Sequence, residues 1–345
     1  MVSIGIYGRT NAGKSTLFNA LTGQNIALVA AESGTTTDPV RRAFEIAGFA
    51  PVTFIDTAGI DEQSPLGLAR LQKSIDTLSE VDLAIYLHNG ALQPIDNLFI
   101  EEYLATTPHI ITDRNYSVDG LLEQIKAAIH SSSLVEPPFF GTRLGRGDTV
   151  ILVCPLDMAA PAGRLILPQV QALRAALDVG AIALTVQPRE LKQALKLVKP
   201  RLVVTDSQVF DSVVTLIPKD VELTSFSILL SELKGNPVIY KEGLKAIKEL
   251  READRVLILE NCSHQVTCQD IGRVKIPKLL GHHLSYTFVS GRERLPSELS
   301  LYALAVQCGG CMTTRTVIQR RIEACQRAKV PITNYGMLLK ALLIK

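Results

Sequence analysis

No run of about 20 residues is free of charges and helix breakers, so the chain offers no candidate transmembrane helix. The start, Met1 to Tyr7, has no charged segment ahead of its apolar residues and reads directly as a β-strand, which gives no sign of a signal peptide. Cysteine is scarce and unevenly spread, six in 345 residues, which excludes a disulfide framework. A dominant sign of charge is lacking too. The 36 basic residues stand against 34 acidic ones, and a net charge of +2 argues against nucleic acid as the main partner, because phosphate binding leaves a clear basic excess. Neither an internal repeat nor a low-complexity tract is found. Together these absences predict a cytoplasmic protein with no membrane partner, in which clustered cysteines serve metal or redox chemistry.

What is present is globular: 47% hydrophobic and 20% charged residues, enough chain for two or three domains. Strand-like and helical runs alternate, which predicts an α/β fold with largely parallel sheets. Strands are expected at Val2–Tyr7, Val52–Ile55, Leu83–Leu87, Thr149–Val153, Ile182–Val186, Leu202–Thr205 and Val256–Glu260. Helices are expected at Ser15–Leu21, Leu68–Leu78, Val118–Ile129, Leu165–Leu177, Glu190–Val198 and Leu244–Glu252. The proline-rich stretch Ser131 to Gly141 reads as a linker, and Gly235-Asn236-Pro237 as a second break.

Gly8-Arg9-Thr10-Asn11-Ala12-Gly13-Lys14-Ser15 matches G-x-x-x-x-G-K-[ST] between a strand and a helix, where a phosphate-binding loop belongs. The amides from Asn11 through Thr16 would cradle phosphates at the helix N-terminus, and Lys14 would reach the β- and γ-phosphates. Ser15 would ligate Mg²⁺ together with Thr36, from the segment Gly34–Asp38, and Asp56 of Asp56-Thr57-Ala58-Gly59. The Gly59 amide would meet the γ-phosphate. These three segments resemble the translation-factor-like GTPases of the TrmE and Era branch. That resemblance implies a K⁺ ion at Asn11. Ile60 follows the glycine, so no glutamine there can position water, and GTP hydrolysis is expected to be slow without a cation or partner. One part is missing. No N-K-x-D motif lies between His88 and Ser131, and the nearest string is Thr112-Asp113-Arg114-Asn115. The strand and loop that would read guanine are either lost from the chain or absent from this sequence.

Cys262-Ser263-His264 and Cys308-Gly309-Gly310-Cys311 form the second constellation. A C-x-x-C sets two thiolates on one tight turn, which suits tetrahedral Zn²⁺ or an iron–sulfur cluster. Cys262, His264, Cys308 and Cys311 would close a zinc site, whereas three thiolates with an open position suit a cluster. The residues alone leave both open. Cys154 and Cys325 read as core residues, Cys268 as doubtful, and His282-His283 as remote candidates.

A TrmE-like domain followed by C-x-H and a distant C-x-x-C resembles the HydF family, the GTPases of [FeFe]-hydrogenase maturation. Ala160–Val170, Val204–Gln208 and Leu223–Ser227 are similar to that family's middle domain. Asp270–Pro277, Cys308–Met312 and Pro331–Gly336 are similar to its last. The resemblance implies an N-terminal P-loop GTPase domain (1–132), a dimerisation domain (142–236) and an iron–sulfur cluster-binding domain (237–345), all α/β. It implies a [4Fe-4S] cluster on Cys262, Cys308 and Cys311, with His264 as a further candidate. It also implies a homodimer that works with two radical-SAM maturases and apo-hydrogenase, as a carrier of a diiron precursor. The histidine that commonly precedes the family's C-x-x-C is Gln307 here. The alternative reading is a TrmE-like RNA-modification GTPase stabilised by zinc.

Overall fold

The computed structural model describes residues 2–23, 39–46, 49, 51–62, 64–131, 137–156, 163, 165–261, 270–291 and 293–343. The chain forms two compact units, Met1–Val135 and Glu136–Lys345. Among the described residues no helix is long and apolar enough to cross a membrane.

The first unit runs β1 (Val2–Tyr7), α1 (Lys14–Thr22), β2 (Val40–Glu45), β3 (Pro51–Asp56), α2 (Pro65–Thr77), β4 (Leu83–His88), α3 (Pro94–Phe99), β5 (His109–Asp113) and α4 (Val118–Ser131). Its sheet has the order β2-β3-β1-β4-β5. All neighbours are parallel except β2, which runs antiparallel to β3. Strands β1 and β4 are largely apolar because both of their faces are covered. On one face Ile4, Ile6, Phe54, Leu83, Ile85 and Leu87 pack against Leu17, Leu21, Leu121 and Ile125 of α1 and α4. On the other, Tyr7, Ile55, Ala84 and Tyr86 pack against Ile60, Leu78 and Phe99. β2 and β5 lie at the edges and are partly exposed, so their sequences carry little periodic signal.

The second unit contains two four-stranded parallel sheets. The first is built by β6 (Thr149–Val153), α5 (Leu167–Asp178), β7 (Ile182–Val186), α6 (Leu191–Leu197), β8 (Leu202–Thr205), α7 (Phe210–Val214), β9 (Glu222–Ser225) and α8 (Phe226–Lys234). After α9 (Pro237–Gly243), the second is built by β10 (Arg255–Leu259), α10 (Ile276–Leu280), β11 (Ser285–Val289), β12 (Leu304–Gln307), α11 (Arg315–Arg327), β13 (Ile332–Asn334) and α12 (Tyr335–Leu343). Their strand orders are β7-β6-β8-β9 and β11-β10-β12-β13, the same path traced twice. The expectation of no internal repeat is therefore corrected at the level of topology. The two halves align most clearly where Thr224-Ser225-Phe226-Ser227-Ile228-Leu229-Leu230 matches Thr333-Asn334-Tyr335-Gly336-Met337-Leu338-Leu339. Each stretch turns a last strand into a helix, capped by the Ser225 hydroxyl on the Ile228 amide or by Asn334 Oδ1 on the Gly336 amide. Burial constrains only apolar character elsewhere, so the remaining sequence has diverged.

The expected helix at Leu244–Glu252 is also corrected. The break at Gly235-Asn236-Pro237 is a helix start. Asn236 Oδ1 accepts from the Val238 and Ile239 amides, and Pro237 takes the first helical position. Leu244–Glu249 is a 3₁₀ turn that follows. Helix α8 serves both halves. Phe226 and Leu229 enter the core around β6 and β8, while Ile228 enters the core around Leu257 and Ala305.

Candidate functional site

The loop after β1 needs backbone that only glycine supplies at two points. Gly8 (φ 148°) lies against the Leu87 carbonyl, where a Cβ would collide, and Gly13 (φ 100°) turns the chain into α1. Asn11 also sits at positive φ, 60°, and is exposed. Lys14 Nζ folds over the loop and donates to the Arg9 carbonyl at 2.8 Å. Burial pulls Lys14 below its ordinary value, against the opposing pull of Asp56, Asp61 and Glu62.

Ser15 and Asp56 are brought together, with Ser15 Oγ donating to Asp56 Oδ2 at 2.6 Å. Asp56 Oδ1 is buried with no hydrogen-bond partner among the described residues. Burial raises the Asp56 carboxyl above its usual range, opposed by Ser15 and Lys14. A hydroxyl and a carboxylate with a spare buried oxygen are hard oxygen donors, and they fit Mg²⁺. Thr36 lies outside the described residues. Gly59 packs so tightly on Thr10 that a side chain would not fit. Ile60 is buried in the core beside Tyr7, so it presents nothing to a phosphate.

Two residues here escaped sequence reading. Asp61 accepts from the Thr10 amide at 2.6 Å, joining the Asp56–Gly59 segment to the phosphate loop. Asp96, wholly buried on α3, accepts from Tyr86 Oη at 2.6 Å and from Arg9 Nε at 3.1 Å. It anchors the loop's arginine. The strand considered lost is present: β5 pairs with β4 and ends at Asp113. It carries Thr112-Asp113-Arg114-Asn115 rather than N-K-x-D. The Asp113 carboxylate accepts from the Asn115 and Gly90 amides at 3.0 and 3.1 Å, and the Asn115 bond leads in holding it below its usual range.

Of the cysteine constellation, Cys308 and Cys311 lie at the second sheet's C-terminal edge. Strand order reverses between β10 and β12, and the crevice beyond the ends of two such strands is where open α/β sheets hold ligands. β12 delivers Cys308, whose amide donates to the Leu259 carbonyl at 3.0 Å. Asn261, just past β10, donates from Nδ2 to Cys308 Sγ at 2.8 Å. Cys262 is the next residue in the chain. It lies outside the described residues, as do His264 and Cys268. Burial pushes the Cys308 thiol up, with the Gly310 amide and Asn261 opposing. Both glycines of the turn sit where a side chain is disfavoured. Gly310 has φ 72°, and a Cβ on Gly309 would stand 3.2 Å from the Ser227 backbone.

Two cations support this turn, and neither was legible in the sequence. Lys234, buried at the end of α8, donates to the Gly310 and Thr313 carbonyls, each at 2.8 Å. Arg321, on α11, donates to Asn261 Oδ1 at 2.8 Å. Glu260 and Arg273 flank the segment that contains Cys262 and pair at 2.8 Å. Among the described residues no three metal-ligating side chains gather. Cys308 and Cys311 form a two-thiolate turn that a cysteine following Asn261 would complete, and this donor set fits an iron–sulfur cluster.

Gln307 is wholly buried, and neither of its amide atoms has a hydrogen-bond partner among the described residues. Alternation along β12 puts it on the face of Ala305, whereas Cys308 packs with the cluster around Val306. His282 and His283 precede β11, at the opposite edge of the sheet from Cys308, which removes them as metal candidates. Cys154 and Cys325 are buried core residues, as expected.

Family models match along most of the chain. Residues 3–114 match a 50S ribosome-binding GTPase domain. Residues 139–235 match the hydrogen maturase F dimerization domain, and residues 237–343 its tetramerization domain. The tRNA modification GTPase MnmE of Zymomonas mobilis subsp. mobilis is 46% identical over 91 residues, 25% of this chain and 20% of that protein. GTPase Der of Helicobacter hepaticus is 39% identical over 97 residues, 28% of this chain and 20% of that protein. The chain thus spans about a fifth of the length of these curated relatives. The crystallised G domain of the T. maritima FeoB iron transporter is matched at 20% identity over 38% of this chain and 98% of that chain, with a TM-score of 0.27.

Proposed function

The chain belongs to the HydF family, hydrogen maturase F, and from that premise we propose that it is a GTP-dependent scaffold for [FeFe]-hydrogenase assembly. In this reading Cys262, Cys308 and Cys311 hold a [4Fe-4S] cluster. When bound, the cluster supplies an iron position at which a diiron precursor can attach and later leave. The substrate is that precursor, received from two radical-SAM maturases and handed to apo-hydrogenase. The observation that carries the reading is the cysteine turn at the switch point of the last sheet, in a domain that matches hydrogen maturase F.

The residues of the chain divide the work. The amides of Asn11, Ala12, Gly13, Lys14, Ser15 and Thr16 cradle the GTP phosphates, Ser15, Asp56 and Thr36 hold Mg²⁺, and Asn11 contributes to a K⁺ site. Hydrolysis is slow, since Ile60 cannot orient water, and K⁺ stimulates it. Nucleotide state biases the segments around Thr36 and Gly59, and with them partner binding. The working domains are 1–132, 142–236 and 237–345, and the working form is a cytoplasmic homodimer able to assemble further.

Transfer is tested by loading the full chain with diiron precursor, mixing it with apo-hydrogenase and measuring hydrogen evolution. Wild type should activate, and Cys308→Ser should not. No activation by wild type, or full activation by the variant, contradicts the proposal.

A further inference from the structure

The Asn261 side chain can be oriented in two ways that differ only in exchanging its oxygen and nitrogen. Its neighbours decide between them. A guanidinium has donors and no acceptor, so the atom facing Arg321 NH1 at 2.8 Å is the Asn261 oxygen. The –NH₂ group must then face Cys308 Sγ, also at 2.8 Å. Arg321 is itself fixed. It is buried at 5% exposure, and its other hydrogen bonds among the described residues go to backbone carbonyls, Glu260 at 3.2 Å and Gly291 at 2.9 Å. Those carbonyls lie just past the ends of the neighbouring parallel strands β10 and β11.

We propose that Arg321 and Asn261 are positioning residues of the cysteine centre, aiming a hydrogen-bond donor at the Cys308 sulfur and thereby raising the reduction potential of the cluster bound there. The inference rests on the cluster reading above. Reduction adds negative charge that spreads onto the thiolate sulfurs. A donor already aimed at one of them, backed by a buried cation, favours the reduced state, and hydrogen bonds to sulfur are among the factors that set cluster potentials. Asn261 is not a ligand, so its loss should leave iron content unchanged while the potential moves.

The test is a potentiometric titration of the anaerobically reconstituted full chain, followed by electron paramagnetic resonance. Wild type is compared with Asn261→Asp, which keeps the shape and the acceptor for Arg321 but loses the donor. Asn261→Leu removes the donor without adding charge, and Arg321→Met frees the amide to turn over. All three should retain wild-type iron per chain and shift the reduction equilibrium at least tenfold toward the oxidised state, about 59 mV for one electron. Arg321→Lys should lie closer to wild type. Should Arg321→Met fail to fold by circular dichroism, the two Asn261 variants still decide the matter. Iron-replete Asn261→Leu and Asn261→Asp with wild-type midpoints would overturn the inference. A wild-type chain that takes up no cluster would overturn the reading beneath it instead.

Discussion

The two four-stranded halves of the second unit trace one path, yet among the described residues only the second ends a strand in a C-x-x-C turn. Their registers align them: Val153 pairs with Thr205 as Leu259 pairs with Gln307, and Thr205 pairs with Ser225 as Gln307 pairs with Asn334. One step past the strand ends, the first half has Cys154 and Asp206 where the second has Glu260 and Cys308. Cys154 sits inside the core, where burial, with Asp206 adding to it, pushes its thiol up to about 12. Cys308 instead opens a glycine turn braced by Lys234 and Asn261. The fold supplies the crevice twice, and the residues at its rim decide what chemistry it offers.

The largest break in this comparison is expected at Arg273. Arg273→Met leaves the Glu260 carboxylate, which is 4% exposed, with the Ser290 hydroxyl but no cation, and should cost about 2–3 kcal/mol in chemical unfolding followed by circular dichroism. The equivalent position in the first half, Cys154, has no ion pair to lose, and Cys154→Ser should unfold nearer to wild type. Next comes Lys234→Met, which leaves the Gly310 and Thr313 carbonyls without their buried donor and should cost about 2 kcal/mol. The paired caps sharpen the likeness. Ser225→Ala should cost about 1 kcal/mol. Asn334→Ala should cost nearer 2 kcal/mol, since Asn334 also donates to the Gln307 carbonyl.

The smallest effect is one of pH. Folding raises the Cys154 thiol from 9.0 to about 12 and the Cys325 thiol from 9.0 to about 11, both chiefly by burial. The protonated form is the one the fold favours. Their contribution to stability should therefore be complete below pH 9 and fade as pH climbs toward 11 to 12. Iodoacetamide at pH 8 should label neither cysteine in the folded chain. Rapid labelling of Cys154 would mean that its half does present a thiol at the crevice.

Much of this was legible in the sequence because burial writes itself into composition. The central strands β1, β4, β6 and β8 are mostly apolar, and the phosphate loop is specified by glycines at fixed spacing. The partly exposed edge strands β2 and β5 left no such mark. Pro237 read as a break because proline both ends and begins helices, and only the Asn236 cap distinguishes the two. The C-x-x-C turn was plain, but its supports were not. Lys234 stands 76 residues from Gly310, and Arg321 stands 60 from Asn261, distances that local pattern cannot bridge. The duplicated topology stayed hidden because strand order, rather than residue identity, is what the halves share.

The central claim is that the second half alone builds a metal centre, with Cys262, Cys308 and Cys311 as its ligands. It is tested most directly by reconstituting the full chain with iron and sulfide without oxygen and recording electron paramagnetic resonance after reduction. Wild type would be compared with Cys262→Ala, Cys308→Ala, Cys311→Ala and Cys154→Ala. A reduced [4Fe-4S] signal in wild type and Cys154→Ala that is lost in each of the other three is the expected result. A wild-type chain that binds zinc and gives no cluster signal, or a signal that survives Cys308→Ala, would contradict it.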